Sequence, residues 1–153
     1  MEEIRFVDLF SGIGGIRLGF EQAAQSMKLK TKCVLSSEIN SDARLVYEAN
    51  FSDVPLGANV ATGIIPSGKL RDVREILELP EHDVLLAGFP CQSFSYAGKK
   101  EGFGDTRGTL FFEIVRLIDS CKPKAFIFEN VRGLYAHENG KTLETIKHEM
   151  LDI

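Results

Sequence analysis

The sequence predicts an α/β fold in which a parallel sheet carries helices on both faces. Short apolar runs alternate with amphipathic segments, a glycine-rich turn follows the first apolar run, and polar residues directly follow the later runs. In the doubly wound strand order 3-2-1-4-5, the first and fourth strands are neighbours, and ligands bind at the carboxyl edge beside them. The sequence therefore predicts a ligand site where the segments after these two strands meet.

The predicted elements follow one another without linkers or repeats, so the 153 residues form one domain, 1–153. Strands are predicted at 4–10, 32–38, just before Asp72, 82–88 and 124–131, which makes five, the third being weak. Helices are predicted at 16–24, 42–51, 109–121 and 141–153. Ser41 or Asp42 is expected to cap the second of these helices.

Composition limits the function classes. A net charge of −4 argues against a module that binds polyanions by bulk electrostatics. The three cysteines are widely spaced, which favours free thiols in a reducing cytoplasm. No apolar run approaches the ~18 residues of a membrane span. The three scattered histidines have no metal-ligand spacing, so no metal site is predicted.

The first candidate site is the turn "FSGIGG", residues 10–15. Its glycines allow close approach of a ligand, but the dinucleotide pattern G-x-G-x-x-G fails because its last position is Arg17. A nucleoside ligand and tight strand–helix packing both remain open as explanations. Glu38, at the end of the second strand, is a candidate acceptor for ribose hydroxyls or a solvated strand end. Asp72 is a candidate acceptor for an adenine amino group or the start of an amphipathic helix.

The second candidate site is "GFPCQS", residues 88–93, after the fourth strand. Pro90 stiffens the exit from the strand and aims Cys91 into the cleft as a nucleophile, although a strand-end core cysteine is the alternative. Cys33 and Cys121 are expected to be small hydrophobic residues. Glu129 follows an apolar strand, so a half-buried carboxyl with a raised pKa, suited to general acid catalysis, competes with a plain strand-end carboxylate.

These motifs together resemble the amino-terminal part of cytosine-C5 DNA methyltransferases. "DLFSGIGG" (8–15) is similar to the family's cofactor motif, and "ENV" (129–131) is similar to its glutamate motif. The block "GFPCQSFSYAGKKEGFGDTRGTLFFE" (88–113) is similar to its catalytic loop and the following helix. The order and spacing agree over nearly the whole chain, and three blocks in register are far more specific than an isolated PCQ.

The resemblance implies a Rossmann-like fold that binds S-adenosylmethionine and methylates carbon 5 of cytosine. It implies that the Cys91 thiolate attacks carbon 6, that Glu129 protonates ring nitrogen 3, and that Pro90 and Asn130 position this pair. The cofactor residues implied by the family are Phe10, Gly12, Ile13, Gly14, Gly15, Glu38 for ribose, Ile39 and Val73 for packing the adenine, and Asp72 for its amino group.

The resemblance also implies double-stranded DNA as the partner, in the bacterial cytoplasm at the nucleoid, with the target base flipped out of the helix. The implied DNA contacts lie on the loop 92–108, a candidate mobile lid, and are Gln92, Ser95, Tyr96, Lys99 and Arg107.

The family's later parts have no counterpart here, namely a Q-x-R-x-R strand, a target-recognition domain and closing motifs. We therefore expect a fragment or one subunit of a split enzyme, inactive without a complementary carboxyl-terminal segment and serving restriction–modification. The fifth strand would then be an exposed sheet edge. A tRNA cytosine-5 methyltransferase and a non-catalytic cofactor-binding or scaffold subunit remain as alternatives.

Overall fold

This computed structural model describes residues 3–52, 72–90 and 109–153 of the chain. Strands and helices alternate along them. The strands are β1 (Glu3–Leu9), β2 (Lys30–Ser37), β3 (Val84–Ala87) and β4 (Ala125–Phe128). The helices are α1 (Gly15–Ser26), α2 (Ser41–Phe51), α3 (Thr109–Cys121) and α4 (Lys141–Leu151), with short 3-10 helices at Val73–Glu75, Arg132–Tyr135 and His137–Gly140.

The strands form one sheet in the order β2-β1-β3-β4, and every neighbouring pair is parallel. The predicted weak third strand lies outside the described residues, so β3 and β4 correspond to the fourth and fifth predicted strands. The α/β class and the predicted neighbourhood of the first and fourth strands are confirmed. β1 pairs with β3 from Phe6 opposite Val84 to Leu9 opposite Ala87.

The main hydrophobic core lies on one face of this sheet. Val7 and Leu9 point to this face and are fully buried. Helix α3 covers them with apolar residues at helical spacing, and Phe111, Ile114 and Leu117 are each 0% exposed. Burial of such a side chain contributes about 1.5–3 kcal/mol, so this helix is a major source of the domain's stability.

Alternate residues of a strand point to opposite faces of the sheet, so Phe6 and Asp8 of β1 point away from the main core. Helices α1 and α2 cover this second face. The Phe6 ring meets that of Phe20 on α1 at 5.0 Å between centroids. Asp8 accepts a hydrogen bond from Tyr47 on α2. Helices therefore lie on both faces, as predicted, but this second face includes buried polar groups.

The structure differs from the prediction at the start of helix α2 and at the end of strand β1. The cap of α2 is Asn40, not Ser41 or Asp42, because its extended backbone lets Oδ1 accept from the amides of Asp42 (2.9 Å) and Ala43 (3.0 Å). Strand β1 ends at Leu9 rather than Phe10, since Phe10 takes a φ of 55° that no strand residue adopts.

Candidate cofactor and active site

Four strand ends meet at one edge of the sheet. Leu9 of β1 lies opposite both Ser37 of β2 and Ala87 of β3, and Ala87 lies opposite Phe128 of β4. Because all strands are parallel, the segments that follow them emerge side by side. The glycine turn, Glu38, the Gly88–Pro90 segment and Glu129 are thus brought to one edge, as the sequence predicted.

The turn after β1 has an unusual backbone. Phe10, Gly12 and Gly14 have φ values of 55°, 54° and 94°, all in the left-handed region. Ser11 ties the turn down, because its amide donates to Ser37 O at 3.0 Å and its carbonyl accepts from Gly14 N at 2.8 Å. A Cβ on Gly14 would lie 2.1 Å from Phe51 Cε2, so only glycine fits there.

The Glu38 carboxylate is joined to this turn. Its Oε2 accepts from Gly12 N at 2.8 Å, and its Oε1 accepts from Asn40 N at 2.6 Å. A carboxylate has about four acceptor positions, so two remain for hydroxyl donors. Glu38 therefore holds the turn and keeps capacity to bind a diol at the same time.

The apolar residues predicted to pack against an adenine differ in exposure. Ile39, directly after Glu38, is 64% exposed, and Ile13 on the glycine turn is 58% exposed. Val73 is 3% exposed and belongs to the main core. Ile13 and Ile39 thus offer apolar surface beside the turn, whereas the Val73 side chain is already used in packing.

Asp72 begins the 3-10 helix Val73–Glu75, which is much shorter than an amphipathic helix. Its carboxylate accepts from the Arg74 amide at 3.0 Å and also pairs with the Arg74 guanidinium. The hydrogen bond from that guanidinium lowers the pKa of Asp72. The carboxylate is therefore ionised and remains an acceptor, but any ligand amino group would share it with Arg74.

The segment after β3 is anchored by an aromatic residue. Phe89 is 3% exposed, and its ring centroid lies 5.6 Å from the rings of both Phe111 and Phe128. Pro90 is exposed, so the chain leaves the core at this proline. The predicted nucleophile and DNA-contacting residues lie outside the described residues, namely Cys91, Gln92, Ser95, Tyr96, Lys99 and Arg107.

The Glu129–Asn130 segment is bonded to the β3 end. Glu129 N donates to Ala87 O at 3.1 Å, and Asn130 Nδ2 donates to Phe89 O at 2.9 Å. Asn130 thereby fixes the carbonyl directly before Pro90. The Glu129 residue is exposed, so its burial agrees with the plain strand-end carboxylate and not with the half-buried carboxyl, the two interpretations that the sequence left open.

Gly88 lies between the two halves of the site. A Cβ built on it would lie 3.4 Å from Glu129 Oε2, 3.0 Å from Ile16 Cδ1 and 3.9 Å from Phe10 O. The Glu129 carboxyl and the glycine turn therefore border the same small space above the β3 end. A side chain at position 88 would fill this space.

A buried polar network behind the glycine turn was not found from the sequence. Tyr47 Oη donates to Asp8 Oδ2 at 3.1 Å and accepts from Arg17 Nη1 at 3.0 Å. Burial raises the pKa of Asp8 to about 7, against the opposing hydrogen bond from Tyr47 and the charge of Arg17. The available signal was a charged residue, Asp8, inside the apolar run "FVDLF".

Two atoms of this region lack partners among the described residues. Asp8 Oδ1 and Ser11 Oγ are both buried without a hydrogen bond there. Buried polar atoms normally have hydrogen-bond partners, so such atoms at a turn are consistent with a ligand or water that bonds to them.

Among the residues that the structure describes, no cluster of three or more His, Cys, Asp or Glu side chains is arranged to hold a metal ion. Nor does any described helix combine the length and apolar character needed to cross a membrane.

Comparison with known proteins identifies the family. The model of C-5 cytosine-specific DNA methylases matches residues 4–153. The chain is 56% identical over 144 residues to the Type II methyltransferase M.BanI of Aneurinibacillus aneurinilyticus, covering 94% of the chain and 30% of that protein. It is 49% identical over 150 residues to M.HgiCI of Herpetosiphon aurantiacus, covering 98% of the chain and 32% of that protein.

A solved structure agrees at the level of the fold. The S. pombe Dnmt2 methyltransferase superposes with a TM-score of 0.60 at 19% identity, covering 96% of this chain and 40% of that one. The chain thus spans about a third of the length of the bacterial relatives described above. Since the family model matches residues 4–153, nearly the whole chain, the chain belongs to the C-5 cytosine-specific DNA methylase family.

Proposed function

We propose that residues 1–153 form the amino-terminal, catalytic and cofactor-binding part of an enzyme that methylates carbon 5 of cytosine in DNA. The observation that carries this proposal is the convergence of the glycine turn, Glu38, Phe89–Pro90 and Glu129–Asn130 at one sheet edge. A cofactor site and a catalytic carboxyl then adjoin the point where the chain continues into Cys91.

S-adenosylmethionine fits the residues present. The Glu38 carboxylate keeps two acceptor positions for ribose hydroxyls, and the exposed Ile13 and Ile39 offer apolar surface for the adenine. Helix α1 begins at Gly15, and its N-cap residue Gly14 provides no side-chain cap, which suits the cofactor's carboxylate. The buried Ser11 Oγ, which has no hydrogen-bond partner in the described part of the chain, is a further polar group for the ligand. When bound, the cofactor supplies an electrophilic methyl group.

We propose that the other residues around the glycine turn also contribute to the cofactor site. Phe10, Gly12, Gly14 and Gly15 form the turn that lies along the cofactor, and Asp72 accepts from the adenine amino group beside Arg74. The burial of Val73 supports an indirect role, in which this residue fixes the position of its neighbour Asp72.

In the proposed reaction, the Cys91 thiolate forms a bond to cytosine carbon 6 while Glu129 gives a proton to ring nitrogen 3. Carbon 5 of the resulting enamine is nucleophilic and would take the methyl group as the bond from that methyl to the cofactor sulfur breaks, so that the sulfur leaves as a neutral thioether. Removal of the carbon 5 proton by a base then allows the Cys91–carbon 6 bond to break, and Glu129 recovers its proton from nitrogen 3. The temporary bonds, from Cys91 to carbon 6 and from the proton to nitrogen 3, are thus both broken. The net change is that a methyl group replaces the hydrogen on carbon 5.

Asn130 has a positioning role in this scheme. Its Nδ2 holds Phe89 O at 2.9 Å, and the Phe89 ring is fixed in the core, so the backbone reaches Pro90 in a defined direction. Pro90 adds stiffness, because its ring fixes φ. Together they would limit the positions that the next residue, Cys91, can take relative to Glu129.

We propose double-stranded DNA as the substrate, with the target cytosine flipped out of the stack, because carbon 6 is inaccessible inside a duplex. The proposed contacts are Gln92, Ser95, Tyr96, Lys99 and Arg107. The Type II methyltransferase names of the relatives support a role in restriction–modification, and with it a bacterial cytoplasmic, nucleoid-associated location.

We also propose a complementary carboxyl-terminal segment or subunit that carries target recognition. The chain corresponds to about a third of its relatives' length. In the described sheet β4 is an edge strand, and its apolar Phe126 and Ile127 are 40% and 45% exposed. A segment that covers this edge would bury them, and activity would then require both parts.

Covalent trapping on DNA that contains 5-fluorocytosine tests this function. The chain is combined with the part of M.BanI that it does not span. Fluorine at carbon 5 cannot leave as a proton does, so the covalent adduct is not released. We expect a covalent complex with the wild type and with the matched control Cys33→Ser, but none with Cys91→Ser. Trapping of Cys91→Ser would refute the nucleophile, and methyl transfer to tRNA but not to DNA would refute the substrate.

A further inference from the structure

A single phenol on α2 joins the two ends of the glycine turn. Asp8 lies two residues before the turn 10–15, and Arg17 lies two residues after it. Tyr47 Oη donates to Asp8 Oδ2 at 3.1 Å and accepts from Arg17 Nη1 at 3.0 Å. One hydroxyl thus fixes how far apart the strand and the helix stand where the turn connects them.

The groups around this hydroxyl are buried and held in place. Tyr47 is 0% exposed and Arg17 is 7% exposed. The Arg17 guanidinium is oriented by a bond from Nε to Glu21 Oε1 at 2.8 Å, and it lies 4.2 Å from the ring centroid of Phe51. Hydrogen bonds between buried groups are strong and costly to break, so this arrangement resists deformation.

The turn needs such support. Three of its residues have left-handed backbone, and one of them is Phe10, for which this conformation is strained. Phe51, one helical turn after Tyr47, contacts the turn itself at Gly14. Helix α2 therefore supports the turn in two ways: the Phe51 ring packs against it at Gly14, and the Tyr47 hydroxyl bonds to the residues on either side of it.

We propose that Tyr47 is a positioning residue for the cofactor turn: its hydroxyl, bonded to Asp8 and Arg17, holds the turn in the shape that binds the cofactor. This inference rests on the proposed function for the identity of the ligand. The geometry it concerns is the bond between Gly12 N and Glu38, because a turn that opens would separate these two groups.

Tyr47→Phe is the appropriate variant, since it removes the hydroxyl and keeps the ring that packs on Phe51 at 4.8 Å between centroids. Ile114→Val is the matched control, because it weakens the core on the opposite face of the sheet by a comparable small amount. Any effect of general destabilisation will appear in both variants.

The first readout is amide hydrogen exchange, which needs no ligand. Gly12 N and Gly14 N are both hydrogen-bonded, so their exchange reports opening of the turn. We expect Tyr47→Phe to speed their exchange about tenfold relative to β3 amides, the effect of ~1.4 kcal/mol. Ile114→Val should leave this ratio unchanged. An equal ratio in the two variants would overturn the proposal.

The second readout is the Kd for S-adenosylmethionine, measured by calorimetry on the chain combined with the part of M.BanI that it does not span. We expect Tyr47→Phe to weaken binding about tenfold and Ile114→Val to stay within about twofold of wild type. Unchanged binding in Tyr47→Phe, or equal weakening in both variants, overturns the positioning role. A wild type that binds no cofactor refutes the proposed cofactor use instead, and the exchange ratio still decides whether Tyr47 closes the turn.

Discussion

The buried carboxyl of Asp8 gives the most direct test of the structure. Asp8 is 1% exposed, and burial raises its pKa from an ordinary 3.8 to about 7. The folded state therefore holds a proton that the unfolded state releases between about pH 4 and pH 7. Because the folded pKa is the higher one, Asp8 makes the free energy of unfolding fall as pH rises through this window.

The size of this effect follows from the two pKa values. They differ by about 3, and each pKa unit corresponds to about 1.4 kcal/mol, so the upper limit is about 4 kcal/mol. Asp8→Asn removes the titration, and its amide oxygen can still accept from Tyr47 Oη. The new buried NH2 group costs about 1–3 kcal/mol, but this cost does not vary with pH.

The assay is urea unfolding of the wild type and Asp8→Asn at several pH values from 4.5 to 8. Relative to the wild type, the variant should gain about 2–4 kcal/mol of stability across this range. Taking the difference cancels other titrations, such as that of His82, whose pKa burial lowers. Asp119→Asn, which removes an exposed carboxyl on α3, is the control for the loss of one carboxylate.

The reasoning would be refuted if the free energies of unfolding of the wild type and Asp8→Asn differed by an amount that stays constant within about 0.5 kcal/mol over this pH range. It would mean that the Asp8 carboxyl titrates alike in the folded and unfolded states. A carboxyl carbon NMR titration of Asp8 with a midpoint near pH 4 would lead to the same conclusion.

Two further predictions concern the turn and the proposed acid. Gly14→Ala should lower the free energy of unfolding by at least about 1–3 kcal/mol in urea titrations, because its φ of 94° and the 2.1 Å approach to Phe51 exclude a Cβ. Gly15→Ala is the control, since a Cβ there meets nothing within 4 Å, and an equal loss in both would contradict the reading. Glu129→Gln should slow methyl transfer by the complemented enzyme about 10²–10⁴-fold while cofactor affinity stays the same, and an unchanged rate would remove the general acid role.

Local patterns in the sequence were sufficient where periodicity and sterics decide the structure. Helix α3 spans 109–121 as predicted, because its apolar residues recur at helical spacing and pack against β1 and β3. The strand order around β1 also followed, since alternating strands and helices leave few topologies. The cap of α2 was placed one or two residues late, because Asn40, Ser41 and Asp42 are all good caps and only the extended backbone at Asn40 selects among them.

Contacts between distant residues were not accessible in the same way. Ile39 and Val73 read alike as apolar residues beside a polar one, yet the first is 64% exposed and the second 3%. For Glu129 the sequence left a half-buried carboxyl and a plain strand-end carboxylate open, and it is exposed because neighbours cover it on one side only at the edge of the described sheet. Exposure depends on which elements pack around a residue, and the sequence near that residue does not contain this information.

The sequence by itself determined the fold class, the neighbourhood of the two main motifs and the family, because these depend on local periodicity and on three blocks in a fixed order. Only the tertiary structure brought Asp8, Arg17 and Tyr47 together. Asp8 and Tyr47 lie 39 positions apart, and they meet because α2 packs on the face of the sheet to which Asp8 of β1 points. The physical reason is that a buried hydrogen-bond network is specified by the packing of whole elements, whereas a strand, a helix or a glycine turn is specified within a few residues.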